Sequence, residues 1–214
     1  MNRTFLAAGG DLRFVTLAER LAQDNRVYAA GFDGNVSISE KVQVVDRISD
    51  IKERADCLIL PLPASPDGVT VRTPYSGRSI SLESLAPAVK EGGIVFGGMI
   101  TPEVRKIFEG RKADVIDYAA REEFAVLNAV ATAEGAIQVA MEELATTLSG
   151  RKILILGAGR IAKVLIDALS GFHTRITVAA RKCSDLAWAR VYGCESVPIG
   201  GMDCLPGDFD IIFN

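Results

Sequence analysis

The chain of 214 residues has one histidine, His173, and four cysteines, Cys57, Cys183, Cys194 and Cys204, none of them in a Cys-x-x-Cys pair. With so few soft ligands, so widely spaced, neither a zinc site nor a disulfide framework is expected, and no metal is assigned. The same scarcity suits a reducing, cytoplasmic setting. The formal charge is only −3, so there is no excess of positive charge to draw the chain to nucleic acid. No apolar stretch reads as a membrane span, and Arg3 is not followed by the hydrophobic stretch of a signal peptide. Short-period repeats and low-complexity tracts are absent too. What remains is ordinary globular composition, 49% hydrophobic and 24% charged, enough to bury a sizeable core.

Against this background one stretch stands out. Ile153 to Leu156 form an unbroken apolar run, as in a parallel strand covered on both faces, and Gly157-Ala158-Gly159-Arg160-Ile161-Ala162 follows at once. The spacing is that of a dinucleotide fingerprint whose third glycine is replaced by alanine. Gly157 permits the tight turn, Gly159 lets a pyrophosphate approach the backbone, and Ala162 lets the new helix lie close on the strand. The helix N-terminus then offers N–H groups and a positive dipole end. Gly157, Ala158, Gly159, Arg160 and Ile161 are therefore expected against a cofactor. The bland reading is a tight strand–helix turn with no ligand. A helical pattern runs on through Val164, Leu165, Ala168 and Leu169 to Gly171, and a second strand follows over Ile176 to Ala180. An NAD site needs a carboxylate at the end of that strand, but Arg181 and Lys182 stand there instead. They suit the 2′-phosphate of NADP, Arg181 by paired hydrogen bonds and Lys182 by charge. Their bland reading is two solvated cations. His173 falls at the N-terminal edge of a strand, the wrong end of the sheet for a ligand, and is read as a surface residue.

The rest of the chain alternates strands and helices, which predicts an α/β fold of two doubly wound Rossmann-like domains joined by a helical crossover. The expected boundaries are a substrate domain over 1–120, a helical connection over 121–149, and an NAD(P)-binding domain over 150–214. Thr4 to Ala8 read as the first strand, and Asp11 as the cap of a helix carrying Phe14, Val15, Ala18 and Leu21. Asp11 is also an acid–base candidate, and Arg13, in a first turn where a cation opposes the dipole, is a candidate anion ligand. Val27–Phe32 and Cys57–Leu60 read as strands, and Asp46–Arg54 as helical through Ile48 and Ile51. Ser65 lies just past the third strand, where open sheets bind ligands, although a turn would also satisfy its hydroxyl. Val69 to Ile80 read as a hairpin-like excursion carrying Arg72 and Arg78, either of which could face a substrate carboxylate, with Arg78 named among the substrate ligands; solvated arginines are the bland reading. Thr101-Pro102-Glu103 is a strong helix start, and Val115–Tyr118 a strand. The helical stretch after Arg121 is expected to break near Asn128–Ala136, with Thr132 capping a new helix. A crossing between domains passes their shared cleft, which Asn128, Thr132 and Glu134 would line, Thr132 binding substrate and Glu134 as a second acid–base candidate; the bland reading is that Thr132 caps, Glu134 suits the helix dipole and Gly135 permits close packing. The final strand, Asp210 to Phe213, ends at Asn214, expected at the cofactor. A chain stopping there reads as a cofactor domain truncated at its C-terminus.

These residues together resemble the dipicolinate synthase A-subunit family of spore-forming bacteria. The resemblance rests on Ala8-Gly9-Gly10-Asp11-Leu12-Arg13, on Leu60-Pro61-Leu62-Pro63 with Ser65 and Asp67-Gly68, and on Thr132-Ala133-Glu134-Gly135-Ala136-Ile137-Gln138. It continues through Gly157-Ala158-Gly159-Arg160, Ala180-Arg181 and Asp210-Ile211-Ile212-Phe213-Asn214, and departs at Ala131, where the family pattern has proline. The resemblance implies NADP-dependent oxidation of a hydroxylated tetrahydrodipicolinate, a small dicarboxylate, to the aromatic pyridine dicarboxylate during sporulation. It also implies a flavoprotein-like dipicolinate synthase B-subunit as partner; homo-oligomerisation stays open. Two other readings stand beside it. One is another two-domain NAD(P)-dependent oxidoreductase of amino or keto acids. The other is an NADP-binding partner protein without turnover, since no evident catalytic histidine or lysine is present.

Overall fold

A computed structural model describes residues 3–33, 36–205 and 207–214; the side chain of Cys204 lies outside the described part. The chain divides into two compact units, Met1–Arg121 and Glu122–Asn214.

The first unit is built on six parallel strands: β1 (Thr4–Ala8), β2 (Arg26–Ala30), β3 (Val42–Val45), β4 (Ala55–Ile59), β7 (Val89–Gly97) and β8 (Asp114–Asp117). Their order across the sheet is β3-β2-β1-β4-β7-β8, so the winding reverses between β1 and β4. Apolar residues alternate between the two faces. On one face Ala7, Val27, Ala29 and Ile59 meet Phe14, Val15 and Ala18 of α1 (Leu12–Leu21). On the other, Leu6, Leu58 and Val95 meet Leu82 and Leu85 of α2 (Leu82–Leu85) and Val104 and Phe108 of α3 (Pro102–Glu109). Two caps act as their residue types predict: Asp11 accepts from the Arg13 amide, and Thr101 accepts from the Val104 amide. The excursion is a small antiparallel pair, β5 (Thr70–Val71) with β6 (Ile80–Ser81). Between β3 and β4 the expected helix is only one 3-10 turn, Ile48–Asp50. Strand β3 was not expected. It is an edge strand with only Val42 fully buried, so its four residues carry little alternation to read.

In the second unit four parallel strands take the order β11-β10-β9-β12, namely β11 (Glu195–Pro198), β10 (Arg175–Ala180), β9 (Lys152–Leu156) and β12 (Ile211–Phe213). Helix α5 (Arg160–Ser170) packs Leu165, Ile166 and Leu169 onto Ile153, Ile155 and Val178, and α6 (Cys183–Val191) adds Ala189. The expected break near Asn128–Ala136 is absent: α4 (Glu122–Glu143) runs unbroken for 22 residues and belongs to this unit. Thr132 does not cap. Its hydroxyl donates to the Asn128 carbonyl one turn back at 2.9 Å, which satisfies it inside a continuous helix. Alanine at 131 also keeps the amide and avoids the ring that would break the turn. By length and composition alone α4 is apolar enough to cross a bilayer, contrary to expectation. Ala129, Ala133 and Ile137 are buried, while Leu127, Val139 and Met141 are exposed on its other faces.

Gly135 sits mid-helix, exposed, and a Cβ there would meet nothing within 4 Å. Gly135→Ala is therefore expected to stabilise the protein by about 0.5–1 kcal/mol, read from urea denaturation followed by circular dichroism. A lowered midpoint would show that the glycine is needed for close approach.

Candidate functional site

Each unit carries a glycine turn after its first strand, at the edge where open parallel sheets bind ligands. The two turns differ in whether there is room above them. In the first unit the turn is filled by the excursion. The Gly10 amide donates to the Arg72 carbonyl at 2.9 Å, and the Gly9 amide to Ala30. A Cβ on Gly9 would lie 2.5 Å from the Arg72 carbonyl oxygen, and one on Gly10 would lie 2.4 Å from the Phe14 ring. Both residues have positive φ, +67° and +96°. These glycines serve the packing, and their amides are already engaged within the chain.

In the second unit the corresponding turn is open. Gly157 has φ +103°, and a Cβ on either Gly157 or Gly159 would meet no atom within 4 Å. Gly159 caps α5 without a side chain, so the first turn of an eleven-residue helix faces outward uncapped. A cavity of about 400 Å³ lies over it, of a size usual for small-molecule sites. It brings together Asn128, Thr132, Gly157, Gly159, Arg160, Ile161 and Asn214, seven of the residues singled out from sequence. Ala158 is partly buried against the core below. Arg181 and Lys182, exposed after β10, do not line this cavity and form no ion pair among the described residues. Arg160 is held: its Nε donates to Glu122 Oε1 at 2.8 Å and its Nη2 pairs with Oε2. A NAD(P) diphosphate fits this cradle, with the glycine bend, the uncapped helix and Asn214 around it.

Glu134 is not brought there. On a continuous helix two residues turn through about 200°, so Glu134 points away from Thr132. It lines a separate apolar surface hollow with Met141, Ala168 and Phe172. The structure therefore removes it from the acid–base candidates at this cavity.

In the first unit, polar groups gather at the strand ends around the winding reversal. Asp11 and Arg13 form a fork: Arg13 Nε lies 2.9 Å from Asp11 Oδ1 and Nη2 lies 2.7 Å from Oδ2. The Arg13 hydrogen bonds hold the Asp11 carboxyl below its usual range, with a smaller contribution from the charge of Arg72. Asp11 is thus a stable anion, a poor proton donor at neutral pH, and most of Arg13's charge is already answered. Tyr118 donates to the Leu60 carbonyl at 3.1 Å, and burial pushes its phenol well above the usual range. Asp117 accepts from the amides of Met99, Ile100 and Ala119. This pins Met99 at φ +56° with its side chain 62% exposed, a strained apolar residue at the end of β7. Tyr118 and Met99 were missed in the sequence, because neither belongs to a motif. Ser65 is spent on its own turn, with Thr70 O at 2.6 Å and Asp67 Oδ1 at 3.0 Å. Arg78 is also separated from Asp11. It lines a different groove of about 910 Å³ with Arg47, Lys52 and Arg54, while Arg72 is the excursion's arginine whose charge reaches Asp11. His173 lies exposed in the loop before β10 at φ +56°.

Residues 4–119 match the family model described as the N-terminal domain of the dipicolinate synthase A-subunit. The dipicolinate synthase A-subunit of Bacillus subtilis (strain 168) is 24% identical over 182 residues, 84% of this chain and 61% of that protein. The chain thus spans about three fifths of the curated relative it matches. The crystal structure of the A chain of dipicolinate synthase from B. subtilis superposes with a TM-score of 0.79 at 22% identity, covering 99% of this chain and 72% of that one. The A-subunit from Bacillus halodurans gives 0.82 at 22% identity, over 98% and 72%.

The contrast between the two turns is measurable as stability. Gly10→Ala is expected to cost about 2–3 kcal/mol through positive φ and the Phe14 clash, and Gly159→Ala about 1 kcal/mol or less, through the poorer N-cap alone. Equal losses would show that the second turn is as tightly built as the first.

Proposed function

The chain belongs to the dipicolinate synthase A-subunit family, and from that premise we propose that it takes part in NADP-dependent formation of pyridine-2,6-dicarboxylate. The substrate would be a hydroxylated tetrahydrodipicolinate. Loss of water introduces one ring double bond, and removal of a hydride and a proton completes the aromatic ring. When bound, the cofactor supplies the hydride acceptor. The protein's part is to bind, orient and exclude water. The observation that carries this reading is the open glycine bend of the second unit, with Asn128, Thr132 and Asn214 around it.

The choice of NADP over NAD rests on the end of β10, where Arg181 and Lys182 replace the carboxylate that would take a ribose hydroxyl. Neither cation has an ion-pair partner among the described residues to give up. The first unit is proposed to hold the dicarboxylate. There Arg72 is the cation with charge to spare, since Asp11 already engages Arg13. Asp11 then serves to fix Arg13 and cap α1 rather than to donate a proton. Aromatisation favours the reaction in any case, so orientation of the ring matters more than a strong acid. Association with a B-subunit follows from the family's two-subunit naming and belongs to the same proposal.

Calorimetric titration of the full chain with NADP and NAD tests the cofactor assignment. NADP is expected to bind at least about tenfold more tightly, a preference lost in Arg181→Ala. Equal affinities, or a preference that survives Arg181→Ala, would overturn it. For the substrate, Arg72→Ala is expected to raise KM for the hydroxylated tetrahydrodipicolinate by about tenfold and more than Arg13→Ala does, in steady-state assays with the B-subunit present. The reverse order would assign the carboxylate to Arg13.

A further inference from the structure

We propose that Glu122 sets the affinity of the dinucleotide site by acting through Arg160, holding its guanidinium in an ion pair that competes with the phosphates. The inference rests on the dinucleotide reading of the second unit given above.

Arg160 is the first residue of α5 and lines the cavity beside Gly157 and Gly159. A cation at that position is disfavoured by the helix dipole and needs an anion close by. Glu122, the first residue of α4, provides it. The contact is a fork, Nε to Oε1 at 2.8 Å and Nη2 to Oε2. That edge of the guanidinium, with its two parallel N–H groups, is the one suited to a phosphate. One anion therefore holds what the other would use. Glu122 does not line the cavity, so it bears on the ligand through Arg160 and through its own charge.

The pair is built to yield. Both side chains are more than half exposed, 52% for Arg160 and 67% for Glu122, and exposed pairs are held weakly. Hydrogen bonding from Arg160, together with the charges of Arg160 and Lys163, keeps Glu122 ionised across the neutral range. Its charge thus opposes a polyanion at neutral pH. Neither role needs the carboxylate for folding, because α4 is anchored elsewhere through Ala129, Ala133 and Ile137.

The test is a double-mutant cycle on the full chain, reading dissociation constants for NADP by calorimetry at low and moderate salt. Glu122→Gln is expected to tighten NADP binding roughly three- to tenfold at low salt, and less at moderate salt. In the Arg160→Ala background the same substitution should change binding by less than about twofold, since the competition has lost its object. Thermal midpoints of all four proteins check that each is folded. Unchanged or weaker binding in Glu122→Gln would overturn the inference and make Glu122 an orienter of Arg160. An equal gain with and without Arg160 would reduce it to bulk charge and overturn it too. If the unaltered chain binds neither NADP nor NAD, the dinucleotide reading itself fails, an outcome distinct from either of these.

Discussion

The hydrogen bond from the Gly10 amide to the Arg72 carbonyl distinguishes the glycine turns of the two units. Both units wind a parallel sheet outward from a central strand, and both place a glycine turn at the edge where such sheets take ligands. A backbone amide can serve one acceptor well. In the first unit the excursion carrying β5 and β6 supplies that acceptor from within the chain. In the second unit the Gly157 amide donates to the Ala179 carbonyl, as Gly9 does to Ala30, but no excursion fills the turn: a Cβ on Gly157 or Gly159 would meet nothing within 4 Å. The same local design becomes packing in one case and a cradle in the other.

Filling the first turn has a further effect. The strand ends around it are free to gather side chains instead of phosphates: the Asp11–Arg13 fork, Arg72, Tyr118 on the Leu60 carbonyl, and the Asp117 carboxylate that pins Met99. Tyr118 and Arg72 lie close enough to the Asp11–Arg13 fork for their charges and the fork's to act on one another. Under the function proposed above, these groups would hold the dicarboxylate and the open turn of the second unit the dinucleotide.

Most of the second unit was legible in the sequence because its signals are local. Ile153–Leu156 followed by Gly-x-Gly-x-x-Ala names a strand, a turn and a helix within a few residues; Gly157, Gly159, Arg160, Ile161 and Asn214 line one cavity, together with Asn128 and Thr132, which were expected at a cleft between domains. The misreadings arose where a local signal had two satisfactions. Thr132 before Glu134 and Gly135 resembles a helix start, but a threonine hydroxyl is equally content on the carbonyl one turn back. That one difference set the phase of α4 and carried Glu134 to the opposite side. Ser65 likewise found its partners within its own turn. Arg72 and Arg78 sit on one short excursion with no local feature to rank them. Only the long-range pairing of Arg72 with Gly10 does so, and a single sequence does not encode that visibly.

Hydrogen–deuterium exchange of the full chain, with and without NADP, bears most directly on the claim that the two turns have parted in function. NADP should slow exchange at residues 158–162 while leaving residues 9–14 as they were, since the Gly9, Gly10, Arg13 and Phe14 amides already have partners within the chain. Slowing at residues 9–14 instead, or none at residues 158–162 under saturating NADP, would contradict the account.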